Sequence, residues 1–106
     1  MITGEKISDI VNKIVLFYNP NKIILFGSYA KGYANEDSDL DLIIIKDTDL
    51  PKQRRGREIR KYLFGSLVPM DIKVYTQNEF NQDISNPHSF IYEAIKDAKV
   101  LYEIKD

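Results

Sequence analysis

A Gly-Ser pair and two closely spaced aspartates are the residues of this sequence best suited to chemistry. Gly27 and Ser28 follow an apolar run, and Asp39 and Asp41 open a second apolar run shortly afterwards. Residues two apart on a strand point to the same face, so we expect the two carboxylates to project side by side. Carboxylates that close repel each other unless a cation lies between them. Mg²⁺ is a suitable cation because it is held by one or two carboxylates together with phosphate oxygens and water.

The Gly-Ser pair supplies a matching anion site. Gly27 allows the backbone to approach a ligand closely and to adopt torsions closed to other residues. If Ser28 opens a short helix, its N–H and hydroxyl face an anion at the helix N-terminus. Lys31 follows at a distance that suits either a triphosphate contact or an ordinary loop position. Phosphate binding at one end and metal binding at the other outline a nucleoside triphosphate site.

A third acid, Asp71, lies on a later predicted strand, with its side chain opposite to those of Met70 and Ile72. If that strand lies beside the strand of Asp39, the three carboxylates can share a pair of metals. Two metals can polarise an attacking hydroxyl and stabilise a departing pyrophosphate. Asp71 could also accept the hydroxyl proton.

Each of these features also has a purely structural interpretation. Gly-Ser is a common turn, Asp-x-Asp is often a solvated strand entry, and Asp71 could be an edge charge that discourages aggregation. The functional interpretation depends on these features occurring together and in order. A strand is followed by Gly-Ser, then by a polar gap, then by a strand that opens with Asp-x-Asp, and finally by a later strand with an outward aspartate.

Periodicity predicts an alternating α-β-α-β-α-β order, followed by a helix and a candidate last strand. The predicted helices cover 7–18, 28–31, 53–64, 77–83 and 86–98, with Asn86 as N-cap and Pro87 as first residue of the last one. The predicted strands cover 22–26, 39–46, 68–75 and 100–104. The 39–46 strand is apolar on both faces after Asp41, which favours a central, covered position.

Composition narrows the class of protein. The 106 residues predict one domain over 1–106, and the net charge of −1 gives no global field toward nucleic acid or membrane, so direct nucleic-acid binding is not expected. The absence of cysteine excludes disulfides and thiolate metal sites. The N-terminus lacks the pattern of a signal peptide, and no apolar run approaches the roughly 20 residues that span a bilayer. We therefore expect a soluble cytoplasmic protein.

The joint pattern resembles the nucleotidyltransferase superfamily that includes DNA polymerase beta. It stands here as Gly27-Ser28, Ser38-Asp39-Leu40-Asp41 and Met70-Asp71-Ile72. The segment 27–32, GSYAKG, is similar to the corresponding segment of the minimal nucleotidyltransferases, and 98–103, AKVLYE, is similar to the way many of those chains end.

The resemblance implies an α+β (α/β) nucleotidyltransferase fold, with a small mixed sheet of three to four strands and helices mainly on one face. It implies transfer of AMP from ATP to a hydroxyl with two Mg²⁺ ions. It assigns the metals to Asp39, Asp41 and Asp71, with Asp71 also the base. It assigns the phosphate to Ser28, and we expect Gly27, Lys31 and Ser38 to complete the nucleotide site.

The resemblance also implies a partner. Many minimal nucleotidyltransferases are antitoxins, of the MntA type, that add AMP to a tyrosine of a HEPN-domain ribonuclease toxin. Larger relatives carry a further domain that holds the base or the acceptor, and from the short sequence we expect a partner chain to supply the acceptor here. Two alternatives stay open: an antitoxin that blocks the toxin by binding alone, and an enzyme that modifies a small molecule such as an aminoglycoside.

Two other features have weaker functional interpretations. Basic residues cluster over 52–61, which is either a solvated helix face or a docking surface for an acidic partner or RNA. His88 has no partner nearby in sequence, so a surface or capping position is expected rather than a catalytic one.

Overall fold

A computed structural model of the chain describes residues 1–105. Its helices are α1 (Gly4–Tyr18), α2 (Gly27–Lys31), α3 (Arg57–Leu63), α4 (Gln77–Ile84) and α5 (Phe90–Ala94), with a 3₁₀ turn at Lys52–Arg54. Its strands are β1 (Lys22–Phe26), β2 (Leu40–Ile45), β3 (Met70–Tyr75) and β4 (Lys99–Glu103). No helix among these residues combines the length and apolarity needed to cross a membrane.

The four strands form one mixed sheet in the order β3-β2-β1-β4. Strand β1 is antiparallel to both β2 and β4, whereas β2 and β3 are parallel. The pairing of Phe26 with Asp41 and of Asp41 with Asp71 places the end of β1 and the starts of β2 and β3 at the same end of the strands. We call this end of the sheet the acid edge. The mixed four-stranded sheet confirms the predicted fold class.

Both faces of the sheet are covered, because β2 is apolar on both sides and its residues 42–45 are fully buried. Helices α1 and α3 pack on one face. That face buries Ile10, Ile14, Ile23, Leu25, Leu42, Ile44, Ile59, Leu63, Ile72 and Val74. Helices α4 and α5 cover the other face, which buries Ile24, Phe26, Ile43, Ile45, Tyr75, Phe80 and Ile91. Aspartates 41 and 71 belong to this second face.

Helix α1 begins at Gly4, three residues before the predicted start, because Thr3 caps it. The Thr3 hydroxyl accepts a hydrogen bond from the Lys6 N–H at 3.1 Å. At the other end Asn19 adopts a left-handed conformation with φ 52°, and its N–H donates to the Val15 carbonyl. Pro20 follows, and a proline at this position disfavours helix at the residue before it.

The predicted helix over 53–64 is wrong as a single element. Gly56 has φ 89° and separates the 3₁₀ turn from α3. Arg55, just before it, is extended, and this conformation sends its guanidinium to Glu79 of α4. A continuous helix would break that ion pair.

The predicted N-cap at Asn86 and the extension of the last helix to residue 98 are also wrong. The Asn86 side chain accepts from the His88 N–H at 3.0 Å and closes a turn. The N-cap of α5 is Ser89, whose hydroxyl accepts from the Tyr92 N–H. Helix α5 ends at Ala94, and Asp97 has φ 62°, which a continuing helix cannot contain.

Strands β2 and β3 begin later than predicted. Asp39 lies just before β2, which starts at Leu40. Strand β3 starts at Met70 rather than residue 68, because Leu67 has φ 59° and Pro69 has no N–H to donate. The Pro69 carbonyl accepts from the Leu40 N–H at 2.9 Å and holds the two strand starts together.

Candidate active site

The turn after β1 is built for close approach to a carboxylate. Gly27 has φ 74°, and a Cβ at this position would overlap Oδ2 of Asp41. The two residues meet because Phe26 pairs with Asp41 across β1 and β2. Only glycine satisfies both the backbone conformation and the packing. The Gly-Ser turn and the first strand aspartate therefore form one unit.

Asp41 and Asp71 are direct neighbours across the parallel pair β2 and β3. Their side chains share a face of the sheet, since Leu42 and Ile72, each one residue later, both point to the opposite face. Asp39 is exposed and lies one residue before β2. The structure thus brings the three predicted acids to the acid edge, with Asp41 at their centre.

The charges at this edge interact. Burial raises the pKa of the Asp41 carboxyl above its ordinary value, and the carboxylates of Asp71 and Asp39 raise that pKa further. Lys73 acts in the opposite direction on the same pKa. Its Nζ lies 3.7 Å from Oδ2 of Asp71. Because the ionised Asp41 carboxylate is unfavourable beside the other two, a cation bound between them would be stabilising.

The acids fit Mg²⁺ shared with a ligand rather than a closed metal cage. Within residues 1–105, no group of three or more acidic or imidazole side chains is arranged to hold an ion alone. Mg²⁺ is commonly bound through one or two carboxylates plus phosphate oxygens and water. The pair Asp41 and Asp71, with Asp39 beside it, provides that partial set.

Helix α2 places the two other members of the turn. Ser28 stands in its first turn, and its carbonyl accepts from the N–H groups of Gly32 and Tyr33. Lys31 stands in its last turn and is exposed. Gly27 and Lys31 line the same open cleft. A positive side chain is therefore available beside the turn.

Ser38 has a different environment. Its hydroxyl accepts from the Asn35 N–H at 2.9 Å, and its own N–H donates to the Asn35 carbonyl. It lines a separate cleft together with Tyr29 and Pro69. These contacts shape the loop that leads into Asp39, and its assignment to the nucleotide stays a prediction.

The sequence interpretation missed two residues at this edge, Lys73 and Phe90. The Lys73 ammonium lies 5.1 Å from the centroid of the Phe90 ring, and that ring packs edge-on against Phe26 at 5.5 Å. The position of Lys73 could have been found, since it follows Asp71 by two residues on the same strand face. The position of Phe90 depends on how α5 packs, which no local pattern indicates.

Comparison with known proteins identifies the family of this chain. A family model described as Nucleotidyltransferase domain matches residues 5–102. A Methanocaldococcus jannaschii protein, named as a candidate protein adenylyltransferase, is 34% identical over 100 residues, an alignment that covers 92% of this chain and 96% of that protein. No solved structure matches the chain at a significant level. The matched residues include every candidate site residue described above.

Proposed function

This chain belongs to the Nucleotidyltransferase domain family and is a nucleotidyltransferase, and from this membership we propose that it transfers AMP from ATP to a tyrosine hydroxyl of a HEPN ribonuclease toxin. The observation that carries the proposal is the convergence of Asp41 and Asp71 beside Gly27. The M. jannaschii relative, named as a protein adenylyltransferase candidate, supports a protein as the acceptor. Silencing of the toxin would make the chain an antitoxin.

The proposed reaction is a single displacement at the α-phosphorus of ATP. The acceptor oxygen forms a bond to the α-phosphorus while the bond from that phosphorus to the α–β bridging oxygen breaks, and pyrophosphate leaves. Asp71 takes the proton of the attacking hydroxyl. Ser28 and the backbone of Gly27 bind the departing phosphates, with Lys31 as a nearby positive charge.

Asp41, Asp71 and Asp39 would hold Mg²⁺ together with phosphate oxygens. When bound, Mg²⁺ supplies charge neutralisation of the phosphates and polarisation of the attacking hydroxyl. Asp41 orients the turn as well, because its carboxylate packs against Gly27. The proposed reaction takes place in the cytoplasm, a reducing compartment that suits a cysteine-free sequence.

Exposed apolar side chains near the acid edge support a protein partner. Phe64 and Leu67 are 91% and 94% exposed, and they lie on the segment that leads from α3 into β3 and Asp71. A partner that covered these two side chains would remove apolar surface from water, which would stabilise the complex. A partner bound there would bring its tyrosine toward the three carboxylates.

Co-expression with the HEPN protein tests the proposal. We expect mass spectrometry of the partner to find AMP on a tyrosine, and we expect the Asp39→Asn/Asp41→Asn double variant to leave that tyrosine unmodified. Full protection of cells by the double variant would favour an antitoxin that acts by binding alone. Pyrophosphate release by the purified chain that requires an aminoglycoside would favour the small-molecule alternative.

A further inference from the structure

An open cleft of about 420 Å³ adjoins the acid edge on the face that carries Asp41 and Asp71. Its lining comprises Phe26, Gly27, Lys31, His88, Ser89, Phe90, Glu93 and Ala94. The volume lies within the range of roughly 300–1,000 Å³ typical of small-ligand sites. The cleft is continuous with the Gly-Ser turn, so a ligand whose phosphates bind at the turn can extend into it.

We propose that this cleft binds the nucleoside part of the triphosphate, with the nucleobase stacked on the ring of Phe90. The inference rests on the proposed nucleotidyl transfer and adds to it the place and the chemistry of base recognition. Nothing in the family assignment or in the name of the relative assigns a role to Phe90, His88 or Lys73.

The position of Phe90 carries the argument. Its ring stands between Phe26, the residue before the Gly-Ser turn, and Lys73, the residue paired with Asp71. Phe90 is 45% exposed although it belongs to a helix that packs on the sheet. Phe26 and Lys73 hold the ring in place, and its exposed part suits a stacked base, since every nucleobase offers a π-face.

The polar groups of the cleft favour stacking over base selection. The Ser89 hydroxyl is already used, because it donates to the Asp83 carbonyl at 2.7 Å and accepts from the Tyr92 N–H. Glu93 is paired with Lys96 at 3.2 Å. His88 is left as the lining side chain most able to meet the edge of a base. We therefore expect ATP and GTP to bind with similar affinity.

The other clefts at this end fit the nucleoside less well. One is lined by Met1, Ile2, Tyr29, Ser38 and Pro69, and its residues Ile2 and Tyr29 pack on the opposite side of the sheet from the acids. Another lies beyond Lys31, against Tyr33 and Lys99, and includes neither Gly27 nor an acid of the site.

Calorimetric titration of the full chain with Mg·ATP and with Mg·tripolyphosphate tests the inference. Loss of a base stack lowers affinity by roughly 5- to 100-fold. We expect Phe90→Ala to weaken the binding of ATP by that factor and the binding of tripolyphosphate by less than about twofold. We expect Phe90→Trp to retain the wild-type affinity for ATP. Phe17→Ala is the matched control, because Phe17 is 50% exposed and also contacts one aromatic ring.

The outcomes separate this inference from the proposed function. Unchanged ATP affinity in Phe90→Ala, or equal weakening of both ligands, would overturn the stacking role while leaving AMP transfer intact. Selective weakening without any AMP transfer by the wild type would support the cleft and contradict the proposed function. Failure of the wild type to bind ATP would overturn both.

Discussion

The acid edge depends on individual residues whose identities are constrained by their neighbours. The Asp41 carboxylate occupies the space that a Cβ at Gly27 would need. Asp41 is itself partly desolvated and lies beside Asp71. The desolvated Asp41 carboxylate costs stability in the free chain, and this cost is explained if a cation and a triphosphate bind there. Carboxylates whose pKa is shifted by burial and by charged neighbours are typical of functional sites.

At Gly27, an alanine should damage both folding and the site. We expect Gly27→Ala to lower the free energy of unfolding by at least about 1–2 kcal/mol, because its φ is positive, and to abolish Mg·ATP binding by displacing Asp41. Gly32→Ala is the matched control, since Gly32 has φ 87° but open space around its Cβ position. Retained ATP binding in Gly27→Ala would contradict the proposed geometry.

At Asp41, the raised pKa makes a prediction about pH. The charged carboxylate is less favourable in the folded than in the unfolded chain, so its cost is absent well below the ordinary pKa of 3.8 and complete once pH exceeds the raised folded pKa. We expect metal-free Asp41→Asn to melt at a higher temperature than the wild type at pH 7, because the amide removes the charge that burial and the neighbouring carboxylates disfavour.

Thermal melts across pH test the Asp41 prediction. The gap between Asp41→Asn and the wild type should close as pH falls below the carboxyl range. It should also close or reverse at pH 7 when Mg·ATP is added, because only the wild type gains from the ligand. A variant less stable than the metal-free wild type at pH 7 would contradict the electrostatic explanation.

Among the elements, the segment before α3 and helix α4 are joined by an ion pair that the site does not use. Arg55 donates to both carboxylate oxygens of Glu79 and to the carbonyl of Leu50, and its side chain is only 7% exposed. The Arg55 guanidinium is the main cause that lowers the pKa of Glu79 to about 2. Arg55 therefore has a structural role.

The ion pair of Arg55 with Glu79 should stabilise the fold more as pH rises, whereas Asp41 should destabilise it more as pH rises. Its contribution is complete above the ordinary carboxyl pKa of 4.5 and is lost as pH falls toward about 2. We expect Glu79→Gln to cost about 1–3 kcal/mol at pH 7 and progressively less as pH is lowered, measured by denaturant unfolding. Glu93→Gln is the control, because its pair with Lys96 is exposed and should cost less than about 1 kcal/mol. Equal costs would contradict this assignment.

Sequence patterns located the elements but not their contacts. The apolar run over 42–45 indicated a central strand, and the alternation around Asp71 indicated its outward side chain. The pairing of Asp41 with Asp71 follows from strand order, which periodicity does not contain. The sequence predicts a basic helix around Arg55. Its ion pair with Glu79 has no local signal, because the two residues lie 24 positions apart in the chain.

At the scale of the molecule, the acid edge combines reactive groups with an uncovered apolar surface. The acids stand at one end of the sheet, and the exposed Phe64 and Leu67 lie on the segment that leads to Asp71. The opposite end is marked by Asn19, whose carbonyl accepts from the Lys46 ammonium just after β2. A macromolecular acceptor is expected to dock at the first end, because the three carboxylates lie there.

A charge in the apolar surface should separate docking from catalysis. We expect Leu67→Asp to reduce AMP transfer to the partner by at least about tenfold, equivalent to about 1.4 kcal/mol of binding, with ATP affinity unchanged. Leu16→Asp is the control, because Leu16 is 71% exposed in the part of α1 far from the acids. Equal loss in both variants, or none in Leu67→Asp, would argue against docking at this edge.

Transfer of label from ATP to the partner protein tests the central claim most directly. With Mg²⁺ present, ATP labelled at the α-phosphate should label the partner, ATP labelled at the γ-phosphate should not, and Asp41→Asn or Asp71→Asn should abolish the signal. Label transferred from the γ-phosphate, or α-label that persists in either aspartate variant, would contradict nucleotidyl transfer by these carboxylates.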